Sequence, residues 1–356
     1  MPIARSFLNG EVLNVPKDAN SYINYPGASN AILAIFILFS LPVNWFCLLG
    51  WIILFFLLKK LGNHFGLSNP LSLVFATTFT STLSILRQIP TQSIDVWMGV
   101  WFVMLMILLE KPAKTLRYVL LLGTVVGMLI GSKYSGPIYL IVFLVYAKAL
   151  FKIVSSKRIV AFLTPVLLIG VFWYVRNYLA WGTPIYPGTL LWMQGIPDLD
   201  LPKYMLWKLI LAGNVYGFFE ALVSEYLIWA FSVIPVGIFF IKNLKHRNQP
   251  EMKKIFRLIA VSFLVLLVSL LLSFKPNFEI SNMRYLFPLI ILFTLSSFLI
   301  AQKYKREKEI AVVALLNAVA AVSYLVYHPK LVILFFFIVG ILYIKTKVHI
   351  ARLFGL

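Results

Sequence analysis

Cysteine is almost missing from this chain: Cys47 is the single one in 356 residues, and it lies inside an apolar run. One thiol makes neither a disulfide framework nor a thiolate metal site. Histidine is scarce too, with His64, His246, His328 and His349 scattered along the chain. No metalloprotease, P-loop or dinucleotide-binding pattern occurs. Charge is sparse at 12% of residues, about half of what a soluble globular domain carries. Acids are the scarcest charge, 12 against 32 Lys and Arg, for a formal +20. In place of all these the chain is 61% hydrophobic. Such a chain is too apolar for disorder. The same composition argues against nucleic acid as the partner behind the +20. A polytopic membrane protein is the class that fits, so the charge needs a topological explanation.

Apolar runs long enough to cross a bilayer, about 20 residues or somewhat fewer inside a bundle, number about eleven. They fall near 31–58, 70–87, 93–109, 117–131, 136–150, 159–177, 223–241, 255–273, 285–301, 310–327 and 331–345. The runs exceed strand length and lack alternation. Backbone groups in hydrocarbon must be bonded within the segment. The expected fold is therefore an all-α polytopic transmembrane helix bundle. Basic residues orient it. About 22 of the 32 lie in alternate connections, with only about 4 acids, and those connections are assigned to the inside. The N-terminus is then outside and the C-terminus inside. The chain divides into an outer segment 1–29, a transmembrane core 30–177, an outer loop 178–222 with an interfacial helix, and C-terminal transmembrane helices 223–356. Residues 1–29 have no basic start followed by an apolar stretch, so they are no signal peptide.

Polar groups at membrane depth are costly, so their positions carry information. Four places on the outer face stand out. Arg87 to Asp95 leads into a helix, and an acid there suits the helix dipole. Gly131-Ser132-Lys133-Tyr134-Ser135-Gly136 puts a lysine outside, against the basic-inside bias. Arg284-Tyr285 sets an arginine at a helix start, where the dipole opposes it. It should have an anionic partner, either Glu279 or a ligand phosphate. The long loop opens with Arg176-Asn177-Tyr178 and Trp181 to Gly188. Its later stretch, 201–219, reads as a surface-lying amphipathic helix with Tyr204, Trp207 and Lys208 at the interface. Gly123, Gly127 and Gly131 form small-xxx-small steps, a helix-packing signal. Thr77, Thr78 and Ser81 are expected to bond their own helix backbone.

These residues resemble the motifs of the GT-C glycosyltransferases, polytopic enzymes using polyprenyl-phosphate-linked sugars, among them the protein O-mannosyltransferases and the lipid A aminoarabinose transferase. Ser21-Tyr22-Ile23-Asn24-Tyr25-Pro26-Gly27 is similar to the family's Tyr-Pro-Pro-Gly turn. Asp95 resembles its Asp entering the fourth helix. Gly127 to Lys133 is similar to its Gly-rich helix ending in Thr-Lys. Arg176-Asn177 through Tyr186-Pro187 resembles its Arg-Asn…Gly-Asn-Pro-Tyr-Pro, with Thr183 in place of Asn. Arg284-Tyr285-Leu286-Phe287-Pro288 is similar to its Arg-Tyr-x-x-Pro. The likeness runs from about residue 4 to 300, in order and on one face. One departure matters. The family's catalytic Asp follows its first helix, and Ser6 to Glu11 looks like the turn after that point. The expectation is a chain beginning partway through the first outer loop, without that helix and that Asp.

The resemblance implies sugar transfer from a polyprenyl-phosphate donor to a lipid, glycan or protein acceptor. It places the reaction on the extracytoplasmic face of the cell (inner) membrane, with inversion at the sugar. It implies membrane lipids as further partners and leaves a divalent metal open as cofactor, because some members use one. Asp95 is the candidate catalytic residue, orienting the acceptor or holding a cation. Arg176, Arg284 and Lys133 are candidates for the leaving phosphate, since arginine offers two-point contact to phosphate oxygens. Tyr22, Tyr25, Asn177, Tyr186 and Arg87 complete the candidate substrate-binding set. Rival readings are an O-antigen-type polymerase or ligase, a lipid-linked glycan transporter, and a non-enzymatic scaffold. Transporters place charges at the midplane on broken helices of repeated halves, whereas charges here cluster at span ends.

Overall fold

The computed structural model describes residues 2–13, 25–110, 115–146, 155–186, 188, 193, 205–213, 215–247, 249–271 and 280–326. Among them the regular structure is helical, with no strand. Four helical stretches are long and apolar enough to cross a membrane: Trp45–Phe65, Ser156–Trp181, Val215–His246 and Met283–Lys303. Asp95–Leu109 and Leu116–Ser132 are shorter apolar helices. The last expected span, 331–345, lies outside the described residues, as do Tyr22, Tyr204 and Glu279.

In chain order the helices are α1 Pro2–Leu8, α2 Asn30–Leu38, α3 Trp45–Phe65, α4 Asn69–Thr80, α5 Leu83–Leu86, α6 Asp95–Leu109 and α7 Leu116–Ser132. They continue as α8 Ser156–Trp181, α9 Leu206–Leu211, α10 Val215–Tyr226, α11 Val233–Asn243, α12 Pro250–Ser269, α13 Phe287–Lys303 and α14 Glu307–Val326. The run 31–58 is thus two helices, not one. Pro42 explains the break: its ring disfavours helical geometry at Leu41, and it donates no N–H. Ser40 closes the turn with φ of 53°.

The core sits around α6 and α13, which are buried along nearly their whole length. Phe79 meets Phe287, Phe75 meets Phe298, and Phe46 meets Trp97 edge-on or tilted at 5.5–6.0 Å. Outward-facing Leu, Ile and Phe on α3, α8 and α11 stay exposed, as a lipid-facing surface requires. The glycine steps pack α7 on α8. A Cβ at Gly123, Gly127 or Gly131 would fall on the carbonyls of Phe162, Pro165 or Ile169. Only a bare Cα allows this approach. Pro165 lies inside α8, and a π-turn at Val166–Val171 takes up the disturbed hydrogen bonding. Ser81 bonds the Thr78 carbonyl at 3.0 Å, as expected for it, and Thr80 bonds that of Ala76 at 2.8 Å.

The loop stretch 201–219 differs from a single interfacial helix. Its described part is the one-and-a-half-turn α9 followed, after Gly213 (φ 88°), by the start of α10. From α10 the chain continues through a 3-10 turn, Leu227–Phe231, into α11. Trp207 is exposed and Lys208 lies over its ring at 5.6 Å.

Candidate functional site

Asp95 is the first residue of α6, where the dipole favours an acid. More holds it than the dipole. Lys133 Nζ lies 2.5 Å from Oδ1, and Arg284 Nε 2.9 Å from Oδ2. Ser93 Oγ donates to Oδ2 at 2.6 Å. Lys133 is the residue at which α7 ends, in extended conformation. Arg284 lies in the 3-10 turn Ile280–Leu286 that leads into α13. Three separate segments, two of them 38 residues apart and the third more than 150 beyond, therefore meet at one carboxylate. Arg284 pairs with Asp95, whereas Glu279 lies outside the described residues. The carboxylate is buried at 5% side-chain exposure, while Lys133 keeps 19% and Arg284 30%. So the acid is inside and the two cations reach outward, leaving the group at +1. Between the cations sits Tyr285, its ring 3.9 Å from Lys133 Nζ and 5.7 Å from the Arg284 guanidinium. Tyr139 donates its hydroxyl to the Tyr285 carbonyl.

A second cluster adjoins the first through Lys133-Tyr134. Arg176 is 4% exposed. Its Nε and Nη2 donate to Asn177 Oδ1 at 3.1 and 2.8 Å, and Nη1 donates to the Val12 carbonyl at 3.4 Å. The guanidinium also stacks on Trp173 at 4.7 Å. Asn177 Nδ2 donates to Tyr134 Oη at 2.7 Å, and Tyr134 in turn donates to the Tyr186 carbonyl. Burial pushes the Tyr134 phenol well above its ordinary pKa, so it keeps the proton it donates. Tyr25 rests on Tyr134 with ring centroids 5.5 Å apart. Tyr186 is buried and stacked flat on Trp181 at 4.2 Å. Arg176, Asn177 and Tyr186 thus tie α8 to the N-terminal segment and to the loop beyond α8, with their polar atoms directed at protein.

Two of the sequence motifs also touch directly. Ala28 N–H donates to the Gly131 carbonyl at 2.7 Å, and the Ser29 and Ser132 hydroxyls pair at 2.5 Å. Trp101 Nε1 donates to Ser29 at 3.0 Å. A Cβ on Gly27 would strike Ile3 and Trp173. The Tyr-Pro-Gly turn therefore needs its glycine for close approach to α1 and α8.

Arg87 contacts neither Asp95 nor Arg176 and is paired with Glu225 at 2.5 Å. Glu225 was not among the residues singled out from sequence. It lies at the start of the expected span 223–241, where an acid at membrane depth is the signal that could have marked it. Ser93, Tyr134, Tyr139 and Tyr285 also belong to the site by contact alone. Two of them, Tyr134 and Tyr285, are direct neighbours of a candidate cation, which is the signal that could have found them. Among the described residues no cluster of three or more His, Cys, Asp or Glu is present. At the other end of α6, Glu110 accepts from Tyr146 Oη at 2.6 Å and pairs with Arg257 at 3.3 Å.

The chain matches no protein-family model, no curated protein and no solved structure.

Proposed function

We propose that this protein is a membrane glycosyltransferase moving a sugar from a polyprenyl-phosphate donor to an acceptor on the extracytoplasmic face. The observation that carries the reading is the Asp95–Lys133–Arg284 cluster: one buried carboxylate presenting two partly exposed cations. Net positive charge held rigidly where negative charge develops is what departure of a phosphate needs. The cations come from separate segments, each of which the family resemblance marks. Ion pairs of this kind bring little stability, because desolvation offsets the attraction. A functional role explains their retention better than a structural one.

Within this reading Lys133 and Arg284 meet the leaving phosphate, with Tyr285 fixing the space between them. Asp95 is not the base: both of its oxygens are engaged, so it orients the cations. Arg176 moves from phosphate ligand to positioning residue, since its nitrogens face Asn177 and Val12. Eleven spans, the outside N-terminus and a reaction at the outer surface of the inner membrane belong to the same proposal. Supporting them, the Asp95 and Glu110 clusters stand at opposite ends of α6, about 22 Å apart at 1.5 Å per residue. The place of Asp95, Lys133 and Arg284 at helix ends also favours this reading over a transporter.

The test uses the purified chain in proteoliposomes, with undecaprenyl-phosphate-linked glucose, mannose or aminoarabinose labelled in the sugar. Extracted membrane glycolipids serve as acceptor. Transfer is expected from one of these donors, with Arg284→Ala lowering it about 10²–10³-fold. Absence of transfer from every donor removes the proposal.

A further inference from the structure

We propose that Glu225 takes the proton of the acceptor hydroxyl, and that Arg87 covers it until the donor phosphate draws the guanidinium away. This rests on the glycosyl-transfer reading above and supplies the base that Asp95 is not.

Glu225 lies in the last turn of α10, with its side chain 3% exposed. Among the described residues its ion-pair partner is Arg87 Nη1 at 2.5 Å, and Ser84 lies beside it. Arg87 ends α5 and keeps 36% of its side chain exposed, lying over Tyr324 at 5.3 Å. The carboxylate is therefore fixed inside, whereas its cation stands at the surface on a flexible stem. Asp95 accepts hydrogen bonds from Lys133 and Ser93 and pairs with Arg284 besides, so it cannot be unmasked by the loss of one cation. Glu225 can.

The two acids belong to one neighbourhood. Tyr226 Oη donates to the Met283 carbonyl at 2.8 Å, one residue before Arg284, and Ser84 Oγ reaches Tyr226 at 3.4 Å. Arg284 lies within charge range of both Asp95 and Glu225. The helix end that carries Glu225 is held in an unusual backbone: Leu227 has φ of 51°. Such a conformation is a rare outlier for a leucine. Ile228 N–H donates to Asn317 Oδ1 at 3.1 Å, which holds the turn. A buried acid at a strained turn beside a phosphate-binding cluster fits a chemical role.

The acceptor O–H gives its proton to Glu225, and its oxygen forms the new bond to the anomeric carbon. The bond from that carbon to the donor phosphate oxygen breaks, with its electron pair leaving on the phosphate. Lys133, Arg284 and Arg87 meet that charge. Moving Arg87 to the phosphate uncovers the Glu225 carboxylate to the acceptor hydroxyl. Donor binding and base activation are coupled through one side chain.

The experiment uses full-length protein in proteoliposomes with the three undecaprenyl-phosphate sugars and glycolipid acceptor above, with and without molar azide. Azide attacks without losing a proton, so it needs no base. Wild type transfers sugar. Glu225→Gln is expected to lose transfer roughly a hundredfold or more, to bind donor as wild type does, and to regain turnover with azide, yielding glycosyl azide. Arg87→Gln/Glu225→Gln, which leaves no buried charge unpaired, covers the case of a single variant that does not fold. It should bind donor more weakly and respond to azide in the same way. Near-wild-type transfer by Glu225→Gln, or lost transfer that azide does not restore while donor stays bound, overturns the assignment of Glu225 alone. A wild-type chain that consumes none of the donors overturns the glycosyl-transfer reading and this inference with it.

Discussion

Asp95 carries two opposite loads, a helix N-terminus that favours its charge and a buried position that penalises it. Lys133, Arg284 and Ser93 offset the penalty with three short, charge-assisted contacts. Removing the acid alone leaves two cations facing each other. Asp95→Ala should therefore cost about 3–5 kcal/mol, read as a fall in thermal midpoint in detergent. Arg284→Ala should cost far less, because it leaves Asp95 with Lys133 and Ser93. Arg176 behaves differently from either. Its fork geometry onto Asn177 and Val12 is beyond the reach of lysine. Arg176→Lys should destabilise the protein nearly as much as Arg176→Ala, and both should lower the thermal midpoint more than Arg284→Ala does. Equal midpoints across all three would return Arg176 to the ligand set. The candidate cations were visible in the sequence because they oppose the charge bias. Their partner was not, since which acid meets Arg284 depends on how α6 and α13 pack. The pairing of Glu225 was hidden for the same reason, with Arg87 lying 138 residues away.

At the scale of elements, α7 is the hinge of the site: its glycine face meets α8, and its end delivers Lys133. Gly127 approaches Pro165 so closely that an added Cβ would lie 2.6 Å from the backbone oxygen. Backbone cannot yield as a flexible side chain does. Gly127→Leu should push α7 from α8, lower the thermal midpoint and weaken transfer, since Lys133 moves with its helix. A normal midpoint would mean that the two helices separate without cost. The glycine spacing announced this packing from sequence, because a four-residue period of small residues has few other physical uses. The break at Pro42 and the π-turn after Pro165 were less legible. Hydropathy averages over both, and a proline reports only that the hydrogen-bond ladder must change, not how. The expectation of one continuous helix over 201–219 differs from the structure for a related reason. Aromatic periodicity does not register Gly213, which separates α9 from α10.

For the whole molecule, the +20 charge becomes a statement about direction: about +18 falls on one set of connections and about +2 on the other. The Asp95 cluster belongs at the sparsely charged end. A cysteine-accessibility experiment checks the direction. Cys47 is buried and its thiol donates to the Ser93 carbonyl at 3.0 Å, so Cys47→Ser gives a quiet background. Thr91→Cys should react with membrane-impermeant maleimide on intact cells, and Lys308→Cys only after the membrane is opened. The reverse pattern would invert the bundle and place the cation cluster inside. Helical class and membrane character were legible because composition and backbone hydrogen bonding decide them together. The most direct measurement of function is transfer of labelled sugar from undecaprenyl phosphate by the purified chain, compared with Arg284→Ala at matched folding. Transfer by the wild type and a loss of about 10²–10³-fold in the variant are expected. An inactive wild type, or a variant as active as the wild type, would contradict a phosphate site at Asp95, Lys133 and Arg284.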